Sequence, residues 1–355
     1  MKAAVEMDMY GCPNRCKHCW IGHSKNAHVP TEEFIWVCQQ FKNYQRNGKL
    51  FFDGLEFSSW YREPEYSDNY KELWNICKQL STMPLHRGEH ELASIWRLVR
   101  DPGYALWLKG IGVGCVQISL FGMDNNTDYY TGRRGNFKDC MEAIDILLDA
   151  GIAPRIQMFP LKTNLSDFGI LEKLLRDIRL EDRVRDLGRE FACFLNAGIS
   201  TTGEGFNLEE IRINRSEILR LPRYFLDKTL MHLKAESFEK LWPSEAELMP
   251  SLLKDEQPLN DNPPITSFHV RSDFNVFPNC GEDAEWWSLG NLKTDGVDSV
   301  VSTFLNHNNR GLRLNYDIPI KYLAVKYGNS HSDRLYTRYD LGHRWLRLEA
   351  SSILS

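Results

Sequence analysis

Three cysteines near the amino terminus have the spacing of a metal-binding loop. They are Cys12, Cys16 and Cys19 in the segment CPNRCKHCW, a C-x3-C-x2-C arrangement. Thiolates this close together can bind three irons of one [4Fe–4S] cubane, and such cubanes usually take four cysteines. A three-cysteine loop therefore leaves one iron open to a substrate or a cofactor.

Zinc is the main alternative metal for this loop, with His18, His23 or His28 as the fourth ligand. Zinc loops favour paired C-x2-C units and four ligands, and no second C-x2-C pair occurs in the chain. Structural cysteines are a weaker alternative, because the segment between residues 12 and 19 is too polar for a core. The spacing favours an iron–sulfur cluster over both.

The remaining cysteines do not cluster. The chain has nine cysteines, and an odd number in a long chain argues against a disulfide framework. Four of them stand singly in apolar surroundings, and we predict that these are small core residues: Cys38, Cys77, Cys140 and Cys193.

The composition predicts a soluble globular protein. The 355 residues are 42% hydrophobic, and the net charge is −5, so no broad basic field for nucleic acid is expected. No apolar run approaches the ~18 residues that cross a bilayer. The first ten residues carry acids where a signal peptide would be apolar. We therefore expect a cytoplasmic protein with no membrane partner.

Strand and helix patterns alternate about six times over the first 200 residues. This order predicts a mostly parallel α/β sheet or barrel, with its chemistry at the carboxyl ends of the strands. The predicted strands are 3–9, 50–57, 80–84, 113–120, 153–161 and 190–196. The predicted helices are 31–46, opened by a capping signature at Thr31, 69–79, 91–108 with an interruption at 101–103, 136–150 and 171–186.

The pattern changes after residue 200. Residues 208–252 are predicted to be mainly helical, 258–264 a linker, 268–280 a hairpin, and the last ~50 residues helix and loop. We therefore expect a core at 1–205, a helical connection at 206–262, and an α+β extension with a helical tail at 263–355.

The cysteine loop and its strand–loop–helix context resemble the radical S-adenosylmethionine (SAM) superfamily. This resemblance implies a partial (β/α)6 TIM-like barrel and a cluster whose open iron binds SAM. In this family an aromatic residue usually precedes the third cysteine and lies over the SAM adenine, and here His18 takes that place. A Gly-Gly-Glu-Pro motif that holds the SAM amino group is represented by YREP, residues 61–64, so Glu63 is the expected contact. Glu56 and Glu65 are nearby alternatives.

Further barrel residues match the family less closely. Thr82 stands where the family has Thr-Asn-Gly, and either contacts the methionine moiety or is a turn residue. The segment VQISLFG resembles the family's fourth strand and implies that Ser119 bonds the ribose or carboxylate of SAM. Gln157 and Asn164, at the end of the fifth strand and in its loop, either face SAM or substrate or are surface polar groups.

The carboxyl-terminal hairpin and the LGNL segment at 289–292 resemble a SPASM or twitch extension. Such extensions carry an auxiliary Fe–S cluster, but no cysteine follows Cys280. Because a cubane needs at least three protein ligands, we expect a single cluster in the chain. Cys280 is then either a packing residue or a thiol that donates a hydrogen atom to a substrate radical.

The resemblance implies an enzyme that cleaves SAM to a 5′-deoxyadenosyl radical, which abstracts hydrogen from a substrate C–H bond. We expect a small-molecule substrate of the sugar or nucleotide type, and a reductant such as flavodoxin or ferredoxin. Epimerisation or crosslinking of a ribosomal peptide is one alternative. A non-catalytic metal-binding or redox-sensing protein is the other.

Overall fold

The computed structural model describes residues 1–23, 25–59, 63, 66–84, 90–91 by their backbone, 93–197, 200–278 and 282–352. The strands are β1 (Lys2–Met7), β2 (Gln45–Arg46), β3 (Lys49–Leu50), β4 (Gly54–Ser58), β5 (His90–Glu91), β6 (Cys115–Leu120), β7 (Ala153–Met158), β8 (Cys193–Leu195), β9 (Thr266–Val270), β10 (Asn275–Pro278) and β11 (Gly290–Asn291).

Sixteen α-helices connect and cover these strands in the described part of the chain. They are α1 (Thr31–Lys42), α2 (Tyr70–Leu80), α3 (Ile95–Arg100), α4 (Tyr104–Gly110), α5 (Asp124–Thr131), α6 (Asn136–Asp149), α7 (Asp167–Asp177), α8 (Leu180–Asp186), α9 (Arg215–Ile218), α10 (Arg223–His232), α11 (Phe238–Leu241), α12 (Glu245–Leu252), α13 (Gly296–Leu305), α14 (Arg310–Tyr316), α15 (Ile320–Tyr327) and α16 (Arg338–Ser351).

Parallel pairing follows the chain order of a barrel wall. Strand β1 pairs with β4, and β5 to β8 pair in sequence, all in parallel. Strands of this kind need helical crossovers, which α1 to α8 supply. The expected α/β barrel wall with an α+β extension is confirmed.

The extension joins the same sheet. Strand β9 pairs in parallel with β1, and β10 and β11 add antiparallel strands beyond it. The apolar faces of β1, β4 and β9 share one core with helices α13 to α16, in which Trp287 and Trp345 are fully buried. A second core lies between β6 to β8 and helices α3, α4 and α6 to α11. The domain boundaries themselves remain a prediction.

Several local predictions were wrong. Helix α1 ends at Lys42, and a short β2–β3 hairpin follows it. The N-cap residue of α1 is Pro30, and no side chain caps the first turn of the helix. Residues 81–84 form no strand, with a bend at Thr82 and Met83, and the third parallel strand is β5. The helix expected over 171–186 is split into α7 and α8 at Arg179, whose φ is +51°.

The single cysteines fit their prediction. Cys38, Cys77, Cys140 and Cys193 are all buried. They lie in the two hydrophobic cores, where a thiol behaves as a small apolar group.

Candidate cofactor site

The cysteine loop, residues 11–28, leaves the carboxyl end of β1 and is braced by its own hydrogen bonds. Asp8 accepts the N–H of Gly11 at 3.1 Å, and the Asn26 side chain accepts the N–H of Cys12 at 3.1 Å. Gly11 has φ +87°, and a Cβ there would collide with Asn26. Arg15 donates to the carbonyls of Cys12 and Asn14, both at 2.8 Å. These bonds give the loop a defined path before any cofactor binds.

One side of the loop rests on the junction of α5 and α6, which we call the barrel-side wall (residues 130–133). The N–H groups of Arg15 and Lys17 donate to the carbonyls of Thr131 and Tyr130, at 3.0 and 2.8 Å. Gly132 has φ +65°, and a Cβ there would collide with the carbonyl of Arg15. Only glycine permits this close approach without strain.

The other side rests on the C-terminal-side wall (residues 202–204 with Glu282 and Arg347). Glu204 donates its N–H to the carbonyl of Cys19 at 2.8 Å, and the Thr202 hydroxyl donates to the carbonyl of Trp20 at 2.9 Å. A Cβ on Gly203 would collide with the Cys19 carbonyl.

The extension fixes this second wall. Glu282 accepts the N–H of Gly203 at 2.8 Å, and Arg347 of α16 donates to the Gly203 carbonyl at 2.7 Å. Arg347 and Glu282 also form an ion pair. Burial raises the pKa of Glu282, while Arg347 opposes that shift.

The thiols of the loop are close enough to act on one another. Burial raises the pKa of Cys12 well above its ordinary value, and the charge of Glu63 and the Cys16 thiol raise it further. Burial also raises the pKa of Cys16, followed by Cys19 and Glu63. The three thiols and the Glu63 carboxylate thus lie within electrostatic reach of one another, where an added cation would relieve their repulsion. All three thiols are free of disulfides and partly exposed, so this donor set fits a [4Fe–4S] cluster.

His18 lies on an aromatic stack at the ends of β6 and β7. Its ring is 4.7 Å from Phe121 and 4.8 Å from Phe159, and those two rings stack on each other at 4.8 Å. Burial lowers the pKa of His18 to about 4, so the ring is neutral at pH 7. Its Nδ1 is buried and has no hydrogen-bond partner among the described residues. Phe121 and Phe159 are themselves buried, so they support the partly exposed His18 ring from beneath.

Ser119 and Gln157 lie side by side inside the barrel. They are register partners on β6 and β7, and their less buried positions alternate with fully buried apolar neighbours. Gln157 accepts a hydrogen bond of 2.5 Å from Gln117 on the same face. Both predicted residues therefore belong to the polar inner surface of the barrel.

Asn164 and Thr82 have other roles. Asn164 is fully buried; its side-chain oxygen accepts the N–H of Leu161, and its amide donates to the carbonyls of Phe121 and Phe159. It therefore holds the strand ends beneath His18, and we do not assign it a cofactor contact. The Thr82 hydroxyl accepts the N–H of Leu55 at 2.8 Å. This places it near the amino end of β4, away from the cysteine loop.

Sequence reasoning missed two groups beside β1. Glu6 faces the barrel interior, where burial and then Glu56 raise its pKa to about 8. Its neighbour in register on β9 is His269, which is fully buried and bonds Asp283 at 2.9 Å. Alternation along β1 could have identified Glu6 as inward-facing, but no local pattern reveals the β1–β9 pairing.

Two findings on the described residues concern metals and membranes. No three His, Cys, Asp or Glu side chains among them converge on a single metal ion. None of the helices in the part searched has the length and apolarity to span a membrane. Cys280 and Glu65 lie outside the described residues, so their predicted roles stay predictions.

Comparison with known proteins shows which solved structures share the fold of this chain and which family model part of it matches. No curated protein matches its sequence. A solved structure of native anSMEcpe with bound AdoMet superposes with a TM-score of 0.50 at 13% identity, covering 98% of this chain and 97% of that one. The same protein with AdoMet and Cp18Cys peptide gives 0.51 at 12% identity, covering 98% and 96%. These likenesses show a shared fold.

Residues 8–173, which contain the cysteine loop and the strands from β2 to β7, match the model of the Radical SAM superfamily. Residues 8–173 therefore form a radical SAM domain, and members of that superfamily use a [4Fe–4S] cluster and SAM.

Proposed function

We propose that this protein is an enzyme that uses SAM to abstract a hydrogen atom from a C–H bond of a small molecule, in sugar- or nucleotide-type natural product biosynthesis. When bound, the cluster and SAM supply a 5′-deoxyadenosyl radical as the abstracting species. The carrying observation is one braced loop that carries Cys12, Cys16 and Cys19 within electrostatic reach of one another and of Glu63.

The chain's own residues have distinct tasks in this proposal. Cys12, Cys16 and Cys19 hold three irons, and Glu63 accepts hydrogen bonds from the SAM ammonium group. The neutral ring of His18, supported by Phe121 and Phe159, packs against the adenine.

Inside the barrel, Ser119 bonds the ribose or carboxylate of SAM, and Gln157 orients SAM or substrate beside it. Both lie on the inner face of adjacent strands. Their amide and hydroxyl groups bond without carrying charge, which suits a cofactor with several polar groups.

A small-molecule substrate is supported by the polar inner surface. Besides Ser119 and Gln157, this face carries Gln117 and Arg155, and the Nε of Arg155 is buried with no hydrogen-bond partner among the described residues. Glu6 faces the same interior from β1. Hydrogen-bonding groups of this kind suit a hydroxyl-rich substrate.

A peptide substrate is the second candidate. Its support is that a structure of similar fold, anSMEcpe, was solved with the Cp18Cys peptide. Non-catalytic metal binding or redox sensing is the third candidate, since the cysteine loop alone would serve it.

Anaerobic reconstitution tests the enzyme against the metal-binding protein. The reconstituted chain should hold four irons and release 5′-deoxyadenosine from SAM when dithionite is added. Cys12→Ala should abolish both, while Cys38→Ala, which removes a buried core thiol, should preserve both. Four irons without SAM cleavage, with any substrate supplied, would favour the non-catalytic protein. Deuterium transfer into 5′-deoxyadenosine from labelled candidates then separates small molecules from peptides.

A further inference from the structure

Arg155 carries a positive charge into the barrel interior without a partner for it. It lies on the inner face of β7, in alternation with Ile156 and Met158 of the second core. Its Nε is buried, and its guanidinium forms no hydrogen bond or ion pair with any residue the structure describes. A guanidinium stays protonated at every physiological pH. The charge of Arg155 therefore cannot be removed by the loss of a proton.

Other shielded arginines in the described ranges have the partner that Arg155 lacks. Three of them form ion pairs with carboxylates of the chain: Arg97 with Asp68, Arg133 with Asp139, and Arg347 with Glu282. A charge taken out of water is costly unless an opposite charge accompanies it. At Arg155 a ligand can supply the anion that the described part of the fold does not.

The carboxyl group of Glu6 is not that anion. Glu6 faces the barrel interior from β1 but forms no ion pair with Arg155. Burial, followed by the charge of Glu56, raises the pKa of Glu6 to about 8. Glu6 is therefore protonated and uncharged at pH 7, and it neither neutralises Arg155 nor repels an anion bound there.

The guanidinium of Arg155 leans toward the carboxyl ends of the strands. Its Cζ lies 5.8 Å from the ring centroid of Phe194, and Phe194 on β8 is the register partner of Gln157 on β7. Side chains two residues apart on a strand are separated by about 7 Å. Arg155 thus occupies the layer directly below Gln157 and Ser119, deeper in the barrel than the proposed SAM contacts.

Neutral hydrogen-bond donors stand next to this charge. The side-chain oxygen of Gln157 accepts the amide of Gln117 at 2.5 Å, which leaves the amide hydrogens of Gln157 as donors. The hydroxyl of Ser119 lies beside Gln157, on β6. A guanidinium with N–H and O–H donors beside it is suited to the oxygens of a phosphate or a carboxylate.

We propose that Arg155 binds an anionic group of the substrate, a phosphate or a carboxylate, inside the barrel. The inference rests on the proposed function and deepens it, because it names the substrate class as a phosphorylated or acidic sugar or nucleoside. The planar guanidinium donates two parallel hydrogen bonds to such a group. The anion fixes the deep end of the substrate, so that the other end faces SAM.

Binding to the reconstituted protein in the presence of SAM tests this site. The probes are inorganic phosphate and matched molecules with and without an anion: glucose 6-phosphate and glucuronate against glucose, and uridine 5′-monophosphate against uridine. Wild type should bind phosphate or glucuronate, and should bind at least one anionic probe more tightly than its neutral counterpart. Arg155→Met should weaken anion binding at least about tenfold, and Arg155→Lys should restore part of it. Arg220→Met, at an exposed arginine, is the matched control and should bind as wild type does.

Stability and SAM affinity separate this role from two others. Arg155→Met should not lower the free energy of unfolding, because no ion pair is broken, and its affinity for SAM should equal that of wild type. A loss of SAM affinity would assign Arg155 to the carboxylate of SAM and overturn the proposal. A lowered free energy of unfolding with unchanged anion binding would make the residue structural, which also overturns it.

The remaining outcomes distinguish this proposal from the proposed function. Failure of every anionic probe to bind wild type, or equal anion affinities of wild type and Arg155→Met, overturns the anion site. Wild type that holds four irons and binds anions through Arg155, but forms no 5′-deoxyadenosine from SAM and dithionite with any substrate supplied, would instead refute the proposed function and leave the anion site in place.

Discussion

The two walls of the cysteine loop differ in origin. The barrel-side wall comes from the α5–α6 junction, inside the stretch that matches the family model. The C-terminal-side wall comes from residues after β8 and is fixed by Glu282 and Arg347 of the extension. Both donate or accept backbone hydrogen bonds along the loop, and both use a glycine for close approach.

This difference assigns a role to an extension that retains only one cysteine. Its strand β9 lengthens the barrel sheet beside β1, and its charged pair holds the loop segment that follows Cys19. The extension therefore supports the cofactor loop through hydrogen bonds and packing. A second metal centre is not needed for that role.

Removal of a loop thiol should have the largest effect on iron content and SAM cleavage, because it removes a ligand of the cluster that both walls support. Cys16→Ala should reduce 5′-deoxyadenosine formation to background and lower the iron content after anaerobic reconstitution. Cys77→Ala, a buried thiol of the core, is the control and should retain both. Full iron content in Cys16→Ala would remove the loop from the cluster site.

Alanine at the two wall glycines compares the walls directly. Gly132→Ala and Gly203→Ala each combine a positive φ with a backbone collision, so each should lower the free energy of unfolding by about 4 kcal/mol and weaken iron retention. Gly188→Ala has a similar φ of +73° with nothing in contact range and should cost only about 1–2 kcal/mol. Chemical unfolding and iron analysis measure both. Normal iron retention in Gly203→Ala alone would make the C-terminal-side wall dispensable.

Glu6 belongs to neither wall, and its buried carboxyl group gives the protein a pH-dependent stability that the two walls do not. Its folded-state pKa of about 8 exceeds the ordinary value of 4.5. The stability this group contributes is therefore present below pH ~4.5 and is lost as pH rises toward 8. Glu6→Gln should remove that loss, so its free energy of unfolding at pH 8 should exceed that of wild type by on the order of 3 kcal/mol. Denaturant unfolding between pH 5 and pH 8.5 measures it, and parallel curves for the two proteins would contradict it.

Glu282→Gln should give the smallest effect and isolates the charge of the C-terminal-side wall. It keeps the side-chain shape but weakens the bonds to Gly203 and Arg347, which should cost about 2 kcal/mol of unfolding free energy. Glu285→Gln, at an exposed position, should leave stability unchanged. Equal stability of the two variants would show that the ion pair does not support the wall.

Much of the fold and part of the site could be predicted from local patterns. The alternation in β6 and the amphipathic α6 were predicted within two residues, because side-chain periodicity reflects which face is buried. The third strand was misplaced at residues 80–84, because β5 is only two residues long and has too few residues to show a period. Asn164 and Thr82 were expected at the cofactor because their residue types allow it, whereas burial and hydrogen bonding give them structural roles.

The sequence by itself determined the cysteine loop as a cluster site, because three closely spaced thiolates carry their chemistry in residue type and spacing. Its resemblance to the radical SAM superfamily then implied the cofactors. Only the tertiary structure decided what surrounds that loop. Glu282 and Arg347 lie far from Cys19 along the chain, and Glu6 meets β9 across about 260 residues. Such contacts depend on how strands pair and helices pack, and no local pattern encodes them.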